Sequence, residues 1–171
     1  MRSRSNVTWF STKVRYQKTM EDGSEKVVTE NYLVDALSFT EAESAITDEM
    51  SVYVSGEFQV SGIAKAAYNE VFFSDVDDDD KWYKAKLQFI TIDDKTEKEK
   101  RSTVNYLVQA KSLARALRYV DEEMGKTMID YDTIGLNETN LMDVFEHQAP
   151  NKEEKNDVPE YEQGNAEQPA E

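Results

Sequence analysis

An α+β fold made of two tandem copies of one strand–strand–helix–strand unit is what this sequence predicts, and three observations predict it. The phrase NYLVDALS at residues 31–38 returns as NYLVQAKS at 105–112, with six of eight letters matched. The correspondence runs on at the same offset of 74, pairing Ala42 with Ala116, Glu49 with Glu123 and Met50 with Met124. At an offset of 73 it pairs Trp9 with Trp82, Phe58 with Tyr131, Val71 with Val144 and Phe72 with Phe145. Each copy also passes through the same succession of hydrophobic periods, from two to 3.6 and back. A unit of about 65 residues is marginally stable alone, so a core shared by two copies is a physical reason to duplicate it. Whether the two sheets lie side by side or face to face is open at this level.

The elements follow in order. WFSTKVRYQKTM alternates, with Phe10, Val14 and Tyr16 on one side and Trp9, Ser11, Lys13 and Arg15 on the other. EDGS is a hairpin turn. The return strand KVVTENYLVDA places Val28, Tyr32, Val34 and Ala36 on one face, although Leu33 interrupts the polar face opposite. Ser38 then opens a helix, and Glu41 three positions on completes a capping box. Phe39, Ala42, Ile46 and Met50 make its expected buried stripe. The second helix repeats the stripe with Leu113, Ala116, Leu117, Val120 and Met124, but Arg115 stands where Glu41 stood and the box is lost. One extended segment, EFQVSGIAKAAYNEVFF or MIDYDTIGLNETNLMDVF, closes each unit. The expected layout is a flexible lead-in over 1–7, repeat one over 8–73, an acidic linker over 74–80, repeat two over 81–146 and a disordered acidic tail over 147–171. The tail's polar, acidic composition cannot bury a core. Asn31 and Asn105 are the polar letters of the repeated phrase without a packing role, and a turn or strand-edge position is the plain reading.

Composition narrows the class. With 171 residues, 39% hydrophobic and 32% charged, the chain suits a soluble protein, and no apolar run reaches the roughly 20 residues that span a bilayer. MRSRSNVTWF is basic but lacks the apolar stretch of a signal peptide. The absence of cysteine excludes disulfides, thiolate zinc and thiol catalysis, so a cytoplasmic location is expected. The net charge of −15 is unevenly spread. SDVDDDD at 74–80 holds five aspartates, and from Pro150 on there are seven acids and two bases. Between Lys81 and Arg118 there are ten bases and four acids. A basic block flanked by acidic segments speaks about partners rather than fold.

Catalytic patterns are missing. The single His147 sits at the start of a polar tail, with nothing to position it as a triad base. Asp75, Asp77 and Asp79 imitate the start of a calcium loop, yet position six is Asp80 and position twelve is Lys86, so a solvated linker is the expectation. The six glycines are scattered and make no phosphate loop. Neither a cofactor nor an enzymatic activity is expected.

The first strand of each copy carries a different pattern. Trp9, Lys13 and Arg15 share one face, and Trp82, Lys84 and Lys86 share the matching face. Lys100 and Arg101 lie on the strands or the hairpin turn of copy two. A stacking aromatic flanked by cations is what a sheet platform for single-stranded nucleic acid needs. The plainer alternative is that each tryptophan packs under a loop or against the sister repeat, with the lysines serving solubility. The first copy is poorly equipped electrostatically, because residues 8–44 hold four bases and seven acids.

WFSTKVRY, VTENYLVDALSFTEAE, SGEFQV, NEVFFSD and KWYKAKLQFITID together resemble an uncharacterised domain family of gut anaerobic bacteria and their tailed phages, over about residues 8–146. The resemblance implies a small intracellular protein in a phage or mobile-element setting, with no activity or site residues to transfer. The leading expectation is weak binding of single-stranded DNA or RNA through copy two. The rivals are an acidic adaptor or inhibitor, one that could imitate DNA, acting on a host or phage protein, and a virion or cargo component. No membrane partner is expected, and the duplication suits a monomeric pseudo-dimer or a homo-oligomer.

Overall fold

The structure, a computed structural model, describes residues 1–147. Apart from His147, the expected acidic tail lies outside those residues. The lead-in is not a flexible extension. Its residues form a short strand, β1 (Arg2–Ser5). β2 (Trp9–Thr19) and β3 (Glu25–Asp35) make the first hairpin, whose turn needs a left-handed residue that Gly23 supplies at φ 83°. α1 (Phe39–Tyr53) begins as read: Ser38 accepts from the Glu41 N–H at 3.1 Å, and the Glu41 carboxylate accepts from the Leu37 N–H at 2.8 Å. The chain returns as β4 (Phe58–Ala66) on the far side of β2.

The closing segment of each copy, expected as one strand, is two. β5 (Glu70–Phe73) leaves β4 and joins the sheet of the other copy. β6 (Lys81–Ile92), β7 (Glu99–Ala110), α2 (Leu113–Met124) and β8 (Asp130–Glu138) repeat the first unit, and β9 (Leu141–Phe145) crosses back. The strand orders are therefore β4-β2-β3-β9 and β1-β5-β7-β6-β8. Both exchanged strands run parallel to their hosts in matching register. Val71 lies opposite Leu107 and Phe72 opposite Val108, while Val144 lies opposite Leu33 and Phe145 opposite Val34. Asn105 and Asn31 stand where the visitors arrive, Asn105 bonding Asn69 through both backbone groups and Asn31 facing Leu141.

The exchange places each closing phenylalanine in the sister core. Phe145 stacks on Tyr32 beneath α1 with centroids 5.5 Å apart, and Phe72 meets Tyr106 edge-on at 5.4 Å in the second core. Neither unit completes its core with its own residues. A third cluster lies between the sheets and contains Trp9, Leu33, Val71, Trp82, Leu107 and Val144. The sheets thus meet face to face over one end of their helix-free sides, and α1 and α2 cover the opposite sides.

Three residues of the expected helix stripes are not buried. Phe39 is half-exposed and touches Phe10 edge-on, while Leu113 is 50% and Leu117 41% exposed. Ala116, Val120 and Met124 carry the packing of α2 instead. The aspartate run is not wholly a solvated linker either. Asp79 turns inward and accepts from Ser74 Oγ, the Lys111 N–H at 2.9 Å, Tyr119 Oη at 2.6 Å and Arg115 Nη1 at 3.3 Å. It thereby caps the backbone ahead of α2 as Glu41 does for α1. The carboxylate lost at Arg115 comes from a distant residue.

Candidate nucleic-acid interface

The interface read from the sequence has two parts, and the fold treats them differently. Trp9 is 1% exposed and Trp82 2%, both enclosed by the seam between the sheets. Arg4 covers Trp9 at 5.8 Å, and Phe73 meets Trp82 edge-on at 5.4 Å. The expectation of two solvent-facing indoles is therefore corrected: they close the joint between the halves, and no base can stack on them. The reason is local. Trp9 opens β2 and Trp82 is the second residue of β6, and both lie in the apolar cluster that holds Val71 and Val144 of the exchanged strands.

Four of the six candidate cations share the helix-free faces of β2 and β6. Lys13 and Arg15 are exposed on the helix-free face of β2, and Lys84 and Lys86 on that of β6. Uncharged polar partners flank them across the strands: Asn31 lies opposite Lys13, Thr29 opposite Arg15, Asn105 opposite Lys86 and Asn137 opposite Lys84. Among the described residues none of the four has a carboxylate within 4.0 Å. The other two candidates do not join them. Arg101 shares the face of Lys86 but is held by Asp132 at 2.9 Å and Glu99 at 3.6 Å. Lys100, one residue earlier on β7, points to the helix side.

A feature the sequence reading passed over aims the lysines. Each copy has a β-bulge at the same place. Lys13 faces Gly62 and Val14 faces Val60, so Ser61 is the extra residue; Lys86 faces Gly135 and Leu87 faces Thr133, so Ile134 is extra. The stems of Lys13 and Lys86 lie over the two glycines, where an added Cβ would stand 3.5 Å from each side chain. The signal was present as glycines at an offset of 73.

Buried charge has structural work instead. Asp35, fully buried, receives Arg4 at 3.0 Å and the His147 N–H. Glu146 takes Arg2 and Arg4, which fastens β1 across the seam. In copy two Gln109 holds the Ser74 N–H at 2.9 Å in the role of Asp35, and being neutral it needs no arginine. Burial pushes the carboxyls of Asp79, Glu30 and Glu146 up, but their hydrogen bonds outweigh it and hold all three below the ordinary range. Burial pushes the Tyr16 phenol up to about 12, aided by its bond to Glu30. Among the described residues no three His, Cys, Asp or Glu side chains converge as a metal site, and no helix is long and apolar enough to cross a membrane.

No curated protein and no solved structure is similar to this chain. A family model does match residues 8–147, the whole span of the two interlocked copies, and by it the chain belongs to DUF4494, a domain of unknown function.

Proposed function

We propose that this is a non-enzymatic, nucleic-acid-associated protein that holds single-stranded DNA or RNA weakly by its phosphates, along the helix-free sheet faces and chiefly that of copy two. The observation that carries the reading is the set of four exposed cations, Lys13, Arg15, Lys84 and Lys86, without carboxylate partners among the described residues of an acidic chain. An unpaired cation on an open sheet, flanked by Asn and Thr, suits an anionic backbone. With both indoles enclosed, base stacking contributes nothing, so binding is indifferent to sequence and steep in salt. The acidic residues beyond 150 act as a tethered competitor for these cations. The setting we propose for this activity, on the resemblance to proteins of gut anaerobes and their tailed phages, is a bacterial cytoplasm carrying a phage or mobile element.

Anisotropy of a labelled oligothymidylate tests this. At low salt the full chain should bind, with log K falling against log salt at a slope of about −3 for four neutralised phosphates. Intrinsic tryptophan fluorescence should stay unquenched. The variant with Lys13, Arg15, Lys84 and Lys86 all changed to Ala should bind at least roughly tenfold more weakly, and deletion of residues 150–171 should strengthen binding. Absence of binding at low salt, or an unaffected quadruple variant, ends the proposal.

A further inference from the structure

Among the described residues β8 is the last strand of its sheet and pairs only with β6, so no described strand lies beside its outer backbone edge. Next to that edge, between α2 and β8, runs an open groove of about 880 Å³. Leu113 and Leu117 line it from the helix, and Tyr131, Ile134 and Leu136 from the strand. Ile134 is the bulge residue and 47% exposed. Tyr131 Oη donates to Asp121 at 2.7 Å and pins one end of the groove to α2.

Copy one is an internal control. Leu117 corresponds to Glu43 at the offset of 74, and Ile134 to Ser61 at 73. The same fold is built there with a charged and a polar residue, so packing does not demand the apolar pair. Both leucines of α2 also lie outside its buried stripe, where they expose apolar surface that folding leaves unused.

We propose that this groove receives an extended segment of a partner protein, which adds as a strand to β8 and lays alternate apolar side chains between Leu113, Leu117 and Ile134. Strand addition supplies backbone hydrogen bonds from the edge and specificity from the groove. Charge selects the kind of segment. β8 holds Asp130, Asp132 and Glu138 and no base, and Asp121 adds a fourth carboxylate on the helix. Arg101 holds Asp132 and Lys81 lies 3.9 Å from Glu138, while Asp130 has no cation in ion-pair reach among the described residues. The fitting segment therefore alternates apolar residues with Lys or Arg. A second copy of this chain is disfavoured: pairing two β8 strands antiparallel about Ile134 sets Asp130 opposite Glu138, and like charges directly opposite are destabilising.

The test is selection from a displayed library of random 12-residue peptides on the full chain, followed by titration of resynthesised winners. The reference is the variant Leu117→Glu with Ile134→Ser, which restores the residues of copy one and should keep the native circular dichroism. Winners should be rich in alternating apolar and basic residues, should shift β8 and α2 amides in NMR spectra, and should bind this variant at least tenfold more weakly. Enrichment of acidic peptides, equal binding to the variant, or shifts confined to other elements would overturn the proposal. So would no enrichment at all, or a sedimentation dimer that the variant abolishes, which would assign the groove to a second copy. Oligonucleotide binding should be the same in this variant as in the parent, so the two surfaces fail or succeed separately.

Discussion

Asp79 shows how one residue of an apparently solvated run becomes structural. Its carboxylate is the meeting point of Ser74, Lys111, Arg115 and Tyr119. Asp79→Asn keeps the shape and removes the charge, and should cost about 1–3 kcal/mol in urea unfolding near neutral pH. The sign of its pH dependence follows from its lowered folded pKa. That stabilisation is present above the unfolded value of about 4 and disappears as pH falls through the folded value. The gap between parent and variant should thus narrow toward pH of about 3, and a gap constant from pH 6 to 3 would contradict the assignment. Glu30 and Glu146 share this sign. Glu70 and Asp143, which burial raises, have the opposite one: their contribution is present below the unfolded value and is lost as pH rises through the folded value. Arg4 offers a second residue-scale test. Removing it as Arg4→Ala strips a counter-ion from fully buried Asp35 and should cost about 3–5 kcal/mol. Adding Asp35→Gln, the residue type copy two uses at Gln109, should recover much of that loss; no recovery would mean the arginine acts through contacts other than charge.

At the scale of elements, the first strands separate stability from binding. Trp82→Ala should cost about 3–5 kcal/mol because it empties the seam. Lys84→Ala and Lys86→Ala should each change stability by less than about 0.5 kcal/mol while weakening oligonucleotide binding. Thermal or urea unfolding of the three variants checks this, and a tryptophan variant as stable as the parent would show that the seam is not a core. The helices differ in how much their sequence reveals. Ser38 and Glu41 are local, so the start of α1 is readable from four letters. α2 keeps the local cap at Ser112, but the carboxylate that Glu41 supplies to α1 comes there from Asp79, far back in the chain, and no local pattern announces that. Leu113 and Leu117 follow the helical period and still lie outside the core, because periodicity gives the face of a helix but not how far the sheet beneath it extends.

For the whole molecule, the exchange of β5 and β9 makes the two copies one folding unit. Until the other half is present each core lacks its phenylalanine, the first sheet lacks β9 and the second lacks β1 and β5. A chain divided in the loop after Val76 should give fragments that are unfolded apart and regain the native circular dichroism when mixed. Two fragments that fold independently would contradict the interlock.

What the sequence by itself determined is everything periodic or local: the duplication, the α+β class, the hairpins, the Ser38 cap, and the side of each strand that faces a helix. Leu33 and Leu107, apolar letters on faces otherwise polar, were the visible trace of a second buried surface, with Trp9 and Trp82 beside them. Their partners were not legible, because alternation says which face a residue occupies and not what covers that face. Only the tertiary structure decided that the closing segments break and change sheets, which buries the indoles in the seam, leaves the lysines outside it, and opens an apolar groove between α2 and β8. Such pairings join residues far apart in the chain, and their energy lies in burial and register that no short window of sequence contains.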